Sequence, residues 1–284
     1  MYILILLDEK LEKYNLENNN PPGIDLIFKT LEYHNINYFP VNYEKIEIKN
    51  DEFKINNKIH PLPDFVFSLI IPLPENTYFK KVKEYFEDKT NYINKYTSSK
   101  LVKDKYATIQ YINKNLNEIK TIKTFKINEF SSNNLNFPVI IKPNKGLKGE
   151  NISLINSKED LHNIPNDYII QEAITESFGK DIRLVIFKGT LLYSIKRENT
   201  KDFRSNKNQG GTITEFNPPK NLIKQAIKIC ETLDLGYAGV DFLISKNSYI
   251  LCEINSFPGL TLPLKKVKLE DYSLLDRVCS KIFS

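Results

Sequence analysis

The stretch GYAGVDFLISKNSYILCEINSFPGL, residues 236–260, has the alternation of two apolar strands, yet Asp241, Glu253 and Asn255 lie inside it. A turn at Lys246-Asn247-Ser248 pairs Ser245 with Tyr249, and the same register sets Asp241 directly opposite Glu253. Asn255, two residues further along, shares the face of Glu253 because side chains in a strand repeat every second residue. The other face holds Val240, Phe242, Ile244, Ile250, Cys252 and Ile254, all apolar. One face feeds a core and the other gathers three oxygen-bearing side chains. Two carboxylates opposed across a ladder, with Cβ atoms about 5 Å apart, repel unless something compensates them. A set of oxygens without sulfur or imidazole suits Mg²⁺ or Mn²⁺, ions that take carboxylates together with water and substrate phosphates. A wet strand face, or carboxylates paired with nearby lysines, fits the same pattern. After the third oxygen the chain turns: Phe257 precedes Pro258 and is expected extended, and Gly259 permits a close backbone approach.

Upstream, VIIKPNKGLKGEN places Lys142 at the end of a buried-looking strand, where a lysine needs a partner. The loop that follows carries Lys145 and Lys148 among Gly146 and Gly149, a composition that lets backbone N–H groups and ammonium charge approach an anion. It is not a GxxxxGK[ST] phosphate loop, since a strand follows rather than a helix, and it also fits a plain hairpin turn. RENTKDFRSNKNQGG (197–211) combines Arg197, Arg204, Asn206 and two glycines without periodicity. It reads either as a donor-rich loop closing over phosphate or carboxylate groups, or as a solvated loop.

The chain has 284 residues, 41% hydrophobic and 26% charged, with a formal charge of +5. That is enough for a sizeable core near the size at which folds divide into domains. The positive excess is dispersed, which suits anionic small molecules and argues against nucleic acid as a partner. Cys230, Cys252 and Cys279 show no ligand spacing and read as small buried hydrophobes of a reducing compartment. His34, His60 and His162 are too scattered for a triad or a zinc site. The N-terminal MYILILLDEK is too short for a signal or a span and reads as a first core strand, so a cytoplasmic location without membrane attachment is expected.

Strands at YILILL (2–7), YFPV (38–41) and DFVFSLI (64–70) alternate with helices over 24–36 and 78–88, which predicts a parallel α/β layer. Between them, 44–59 reads as a small polar hairpin turning at Asn50-Asp51. From residue 95 the pattern changes. It shows one helix over 98–115, an extended segment at 120–125, strands at 136–143, 152–155 and 168–174, and an antiparallel pair 181–187/190–198 around Lys188-Gly189. An amphipathic helix over 220–236, capped by Gly236, precedes the opening hairpin, and a closing helix follows over 270–283.

Three segments in this order resemble one family. VIIKPNKGLKGENISLI, then YIIQEAITESFGKDIRLVIFKG with KDFRSNKNQGG, then YAGVDFL with LCEINSFPGL are similar to the ATP-grasp ligases of the RimK-like branch, over about residues 95–262. The resemblance implies an α/β (α+β ATP-grasp) fold: an N-terminal parallel α/β domain (1–95), a central subdomain (96–173) and a C-terminal subdomain carrying the metal site (174–284), the last two with antiparallel sheets. It implies an ATP- and Mg²⁺-dependent carboxylate–amine ligase that activates a carboxylate as an acyl phosphate and joins it to an amino-acid or peptide amine. By position, Asp241, Glu253 and Asn255 would hold two Mg²⁺ (or Mn²⁺). Lys105 of VKDKYAT and Lys142 would contact phosphates, with Lys145, Gly146 and Gly149 in the phosphate loop. Glu172 and Ala173 would meet the adenine edge, with Asp181 nearby. Arg204, Ser205 and Asn206 would sit where charge develops on the transferring phosphoryl, Arg204 and Lys142 having the catalytic roles. The loop departs from the family pattern at Leu147, Glu150 and Asn151. NSFPGLT is also similar to the D-alanine–D-alanine ligase branch, so a dipeptide ligase is the alternative enzyme and an inactive nucleotide-binding partner the alternative of another class. Partners implied are a small-molecule, peptide or protein carboxylate and an amino acid, in a homo-oligomer.

Overall fold

YILILL forms β1 (Tyr2–Leu7), and all of it after Tyr2 is buried. Such an unbroken apolar run is what a parallel strand with both faces covered requires. The structure is a computed structural model; it describes residues 2–70, 75–130, 136–146, 150–205, 211–246 and 248–258. The closing helix read over 270–283 lies outside these, as do Gly149 and Asn206.

After β1 come α1 (Glu9–Leu16), α2 (Pro22–Tyr33) and β2 (Asn37–Asn42). Helix α1 has no counterpart in the sequence reading. Its start is marked by Asp8, whose side chain accepts from the Leu11 N–H as an N-cap, and it buries no residue, so hydrophobic periodicity gave no signal. The expected polar hairpin is a meander of β3 (Ile46–Lys49), β4 (Glu52–Ile55) and β5 (Lys58–Ile59). Asn50 and Asp51 (φ 50° and 64°) make its first turn and Asn56 and Asn57 (φ 50° and 62°) its second, both with the left-handed backbone that tight hairpin turns demand. Its polar composition hides an inward face: Ile46, Phe53 and Ile55 join the core formed by Leu4, Leu6, Val66, Phe79 and Phe86. Then β6 (Phe65–Ser68), α3 (Thr77–Glu87) and β7 (Asn91–Tyr92) complete a parallel sheet ordered β2-β1-β6-β7. The parallel α/β expectation holds.

The helix expected over 98–115 is two, α4 (Tyr96–Lys103) and α5 (Lys105–Asn115). Asp104 ends one and caps the other, its side chain accepting from the Ala107 N–H at 2.8 Å. One antiparallel sheet, ordered β10-β9-β11-β8, contains β8 (Thr124–Lys126), β9 (Val139–Pro143), β10 (Ser153–Ile155) and β11 (Tyr168–Glu172). A second follows the order β14-β13-β12-β15-β16. Its members are β12 (Lys180–Phe187), β13 (Thr190–Glu198), β14 (Thr212–Glu215), β15 (Tyr237–Ser245) and β16 (Ser248–Asn255). Strand β14 is absent from the sequence reading, because TITE is too short to show a period.

Helix α6 (Lys220–Thr232) ends before the expected Gly236. Asp234, at φ 52°, takes the left-handed position after the helix, and Gly236 is not in that conformation. Backbone contacts divide the chain into two compact units: the residues up to Ser99 with Asp234–Tyr237, and Lys100–Leu233 with Ala238–Pro258. Among the described residues no helix is long and apolar enough to cross a membrane.

Candidate active site

The hairpin β15/β16 sets Asp241 opposite Glu253, by a route other than the expected one. The turn is one residue shorter than anticipated, since Ser245 pairs with Ser248 and Phe242 with Leu251. A bulge at Cys252 then adds a residue to β16 and restores Asp241 to Glu253, Val240 to Ile254 and Gly239 to Asn255. The two differences cancel from Asp241 and Glu253 onward, and the expected register is lost only between the bulge and the turn. Leu251 is therefore fully buried opposite Phe242, whereas Cys252, assigned to the core face, is only partly covered. Burial pushes the Cys252 thiol up to about 11 and that of fully buried Cys230 up to about 12, so both behave as apolar thiols.

Asp241 is 4% exposed and carries two arginines. Arg183 Nε and Nη2 donate to its Oδ1 and Oδ2, each at 2.6 Å, and Arg197 Nη2 donates to Oδ2 at 3.0 Å. Arg197 also grips Asp181 with both its Nε, at 2.6 Å from Oδ1, and its Nη2. Burial alone would raise the Asp241 carboxyl; the charges and forked hydrogen bonds of Arg183 and Arg197 outweigh it and hold the group below its ordinary value. At Asp181 burial wins over Arg197, and the carboxyl sits above its ordinary value. Asn255 Nδ2 approaches Asp241 Oδ2 at 3.4 Å.

Lys105 opens α5, and the break at Asp104 is what aims it. The first turn of α5 docks on the loop after β9: Lys105 N–H donates to Asn144 O at 3.2 Å and Tyr106 N–H to Asn144 Oδ1 at 2.9 Å. The Lys105 ammonium donates to Gly146 O at 2.8 Å and stands 3.8 Å from Glu253 Oε1. Burial lowers its pKa first, Glu253 opposes this and the Lys142 charge adds to the lowering. Lys142, on β9, is 5% exposed. Lys145 is exposed.

Glu172 ends β11. Its N–H donates to Lys123 O and its Oε1 accepts from the Lys123 N–H, both at 3.1 Å, so its side chain closes the strand edge, and Ala173 follows half-buried. Ser205 is buried. Arg204 lies over the Phe203 ring, with Nε and Nη2 on Asp202 at 3.0 and 2.7 Å. The loop bearing it is clasped by Gly179, whose N–H donates to Phe203 O and whose O accepts from the Asn199 N–H, both at 2.7 Å. At φ +68° with Asn199 O only 2.1 Å from where a Cβ would lie, position 179 has room for glycine alone.

The structure thus joins Asp241, Asn255 and Asp181 in one network and Lys105, Glu253, Lys142 and Gly146 beside it. Sequence reasoning missed Arg183 as a site residue and counted Arg197 both at the end of the 190–198 strand and at the start of the donor-rich loop; it lies on β13. The signal was a charge at each of two buried-looking strand positions, with Arg197 opposite Asp181 across the ladder.

The sequence model of the RimK-like ATP-grasp domain matches residues 92–275, well over half of the 284. The chain belongs to the RimK-like ATP-grasp family. A probable alpha-L-glutamate ligase of Maridesulfovibrio salexigens is 32% identical over 131 residues, 43% of this chain and 44% of that protein. An uncharacterized protein of Mycoplasma genitalium, MG012, is 32% identical over 132 residues, 45% of this chain and 46% of that protein. The chain thus spans less than half the length of these curated relatives. ATP-grasp ligase PsnB, in complex with a minimal precursor, superposes with TM-score 0.75 at 11% identity over 99% of both chains. D-alanine–D-alanine ligase from Bacillus anthracis, in complex with ATP, superposes with TM-score 0.66 at 18% identity over 100% of this chain and 97% of that one. These likenesses establish the ATP-grasp fold for this family member.

Proposed function

We propose that the chain is an ATP- and Mg²⁺-dependent carboxylate–amine ligase. A substrate carboxylate oxygen attacks the γ-phosphorus of ATP and ADP leaves. An amine nitrogen then attacks the acyl carbon, phosphate leaves, and loss of the amine's proton completes an amide. The observation that carries this reading is Asp241 opposite Glu253, with Asn255 alongside and the buried ammonium of Lys105 next to Glu253. Phosphoryl transfer asks for positioning and positive charge more than for a protein nucleophile, and those are what the site offers.

The donor set fits Mg²⁺. All three side chains offer oxygen, and Asp241 Oδ1 accepts one hydrogen bond, leaving a lone pair for an ion. Among the described residues no three carboxylate, imidazole or thiol side chains converge, as suits an ion completed by phosphates rather than by a protein cage. Asp241, Glu253 and Asn255 would hold it, and it would supply charge neutralisation on the phosphates. Lys105 and Lys142 would add fixed positive charge there, with Lys145 and Gly146 along the same loop. Glu172 and Ala173 would border the adenine, with Asp181 nearby. Arg204 and Ser205 would meet the transferring group once Arg204 turns from Asp202. Within this reading 1–95, 96–173 and 174–284 are the N-terminal, central and C-terminal parts.

The relatives named as probable glutamate ligases, and the PsnB structure in complex with precursor peptide PsnA2, favour an amino acid as the amine and a peptide or protein as the acid. Calorimetry with a non-hydrolysable ATP analogue, with and without Mg²⁺, tests the nucleotide half. ADP release over a panel of acids and amino acids tests the ligase half. Binding that needs Mg²⁺ and ADP release that needs both acid and amine are expected. Nucleotide binding with no ADP release over the panel would favour the inactive-partner alternative.

A further inference from the structure

Two guanidinium groups stand against Asp241, those of Arg183 and Arg197, the second shared with Asp181, and the Lys105 ammonium stands by Glu253. Asp241 in particular is already compensated: one guanidinium grips both its oxygens and a second reaches Oδ2. A bare divalent cation entering here meets two guanidinium charges in a water-poor setting and must compete with a forked ion pair. Metal and polyanion together reverse that balance, because the phosphates bring more negative charge than the ion brings positive.

We propose that Arg183 is the built-in counter-cation of Asp241, and that it makes metal binding conditional on nucleotide. Arg183 is a positioning residue here: its forked hydrogen bonds to both oxygens of Asp241 orient that carboxylate and exclude free metal. The proposal rests on the ligase reading for the identity of the anion, but not for the behaviour of Arg183 towards free metal. It follows that metal and ATP enter as one species or in immediate succession, and that free Mg²⁺ does not preload the enzyme.

Mn²⁺, whose unbound fraction is read by electron paramagnetic resonance, is the probe, together with the thermal midpoint of the full chain. The wild type is expected to bind no Mn²⁺ at Asp241 without nucleotide and to bind it with a non-hydrolysable ATP analogue. Arg183→Leu should melt earlier without ligand and should bind free Mn²⁺ about tenfold more tightly than the wild type, or better, because Asp241 Oδ1 loses its partner. The added Mn²⁺ should recover part of the lost midpoint. Should Arg183→Leu fail to fold, Arg183→Gln removes the charge and keeps most of the bulk. The double variant Asp241→Asn/Arg183→Leu removes both charges and should show neither the Mn²⁺ binding nor its rescue. Wild type that takes up free Mn²⁺ at Asp241 as tightly as with nucleotide overturns the proposal. So does an Arg183 variant, folded and with Asp241 intact, that gains no affinity for the free ion. Failure of the wild type to bind metal and nucleotide together would instead strike at the ligase reading, since the Arg183 comparison needs no nucleotide.

Discussion

Two hairpins of the second antiparallel sheet are built alike and do opposite things with charge. β12/β13 and β15/β16 each have a two-residue turn, entered at Lys188 (φ 41°) and Lys246 (φ 46°), and each carries one extra residue in its second strand, Leu192 and Cys252. The extra residue brings Asp181 opposite Arg197 in the first and Asp241 opposite Glu253 in the second. In β12/β13 acid meets base and the pair satisfies itself. In β15/β16 acid meets acid, and compensation comes from outside the hairpin: Arg183 and Arg197 for Asp241, Lys105 for Glu253. A self-satisfied pair is structure, whereas a like-charge pair held by borrowed cations has room for another cation once that ion arrives with the negative charge of phosphates.

The largest test of that contrast is chemical. Glu253→Gln leaves the Asp241 network in place and should lower ligation by at least about a hundredfold by removing a metal oxygen, with the thermal midpoint nearly unchanged. Asp241→Asn should also abolish metal-dependent nucleotide binding, but it strands two buried guanidinium groups and should cost about 3–5 kcal/mol of stability, read by denaturant unfolding. Equal stability losses in the two variants would erase the distinction between the oxygens.

Gly179→Ala comes next. Its Cβ would collide with Asn199 O, so the clasp on the Arg204 loop must open, at about 1–3 kcal/mol, and nucleotide turnover should fall with it. An unaffected kcat would detach the Arg204 loop from the site.

Lys83 of the first unit offers a buried charge without a full counter-ion, in contrast to Asp241. It is 2% exposed, donates to Asn94 O at 2.8 Å and stands 3.8 Å from Glu87, and burial pushes its pKa down to about 8 against the partial opposition of Glu87. The unfolded chain keeps this proton up to its ordinary value of 10.5, so between about 8 and 10.5 the unfolded state binds more protons and stability rises with pH. The gain is up to about 3 kcal/mol, and Glu87 is ionised throughout that window. Urea midpoints of the wild type should climb over this range relative to Lys83→Met; parallel curves would show that Lys83 keeps its proton.

The smallest effect tests the shared turn. Lys188→Asn places a residue more tolerant of positive φ at the start of the first hairpin and should stabilise the protein by less than about 1 kcal/mol, without altering activity.

The sequence by itself determined the parallel layer, because β1 is a continuous apolar run and its neighbours alternate with helices. It determined the two antiparallel hairpins, because two-residue periodicity and turn residues are local signals. It also determined which residues are candidates for the metal, since three oxygens on one strand face are a pattern a reader can count. Tertiary structure decided what surrounds them. Arg183 lies 58 positions from Asp241 in the chain, and no local period announces that pairing. The Cys252 bulge, the helix break that aims Lys105 at Gly146, and Asp234 taking the place expected of Gly236 were likewise settled by packing. Each is a choice among locally similar conformations, and the contacts that separate them are made only when distant segments meet.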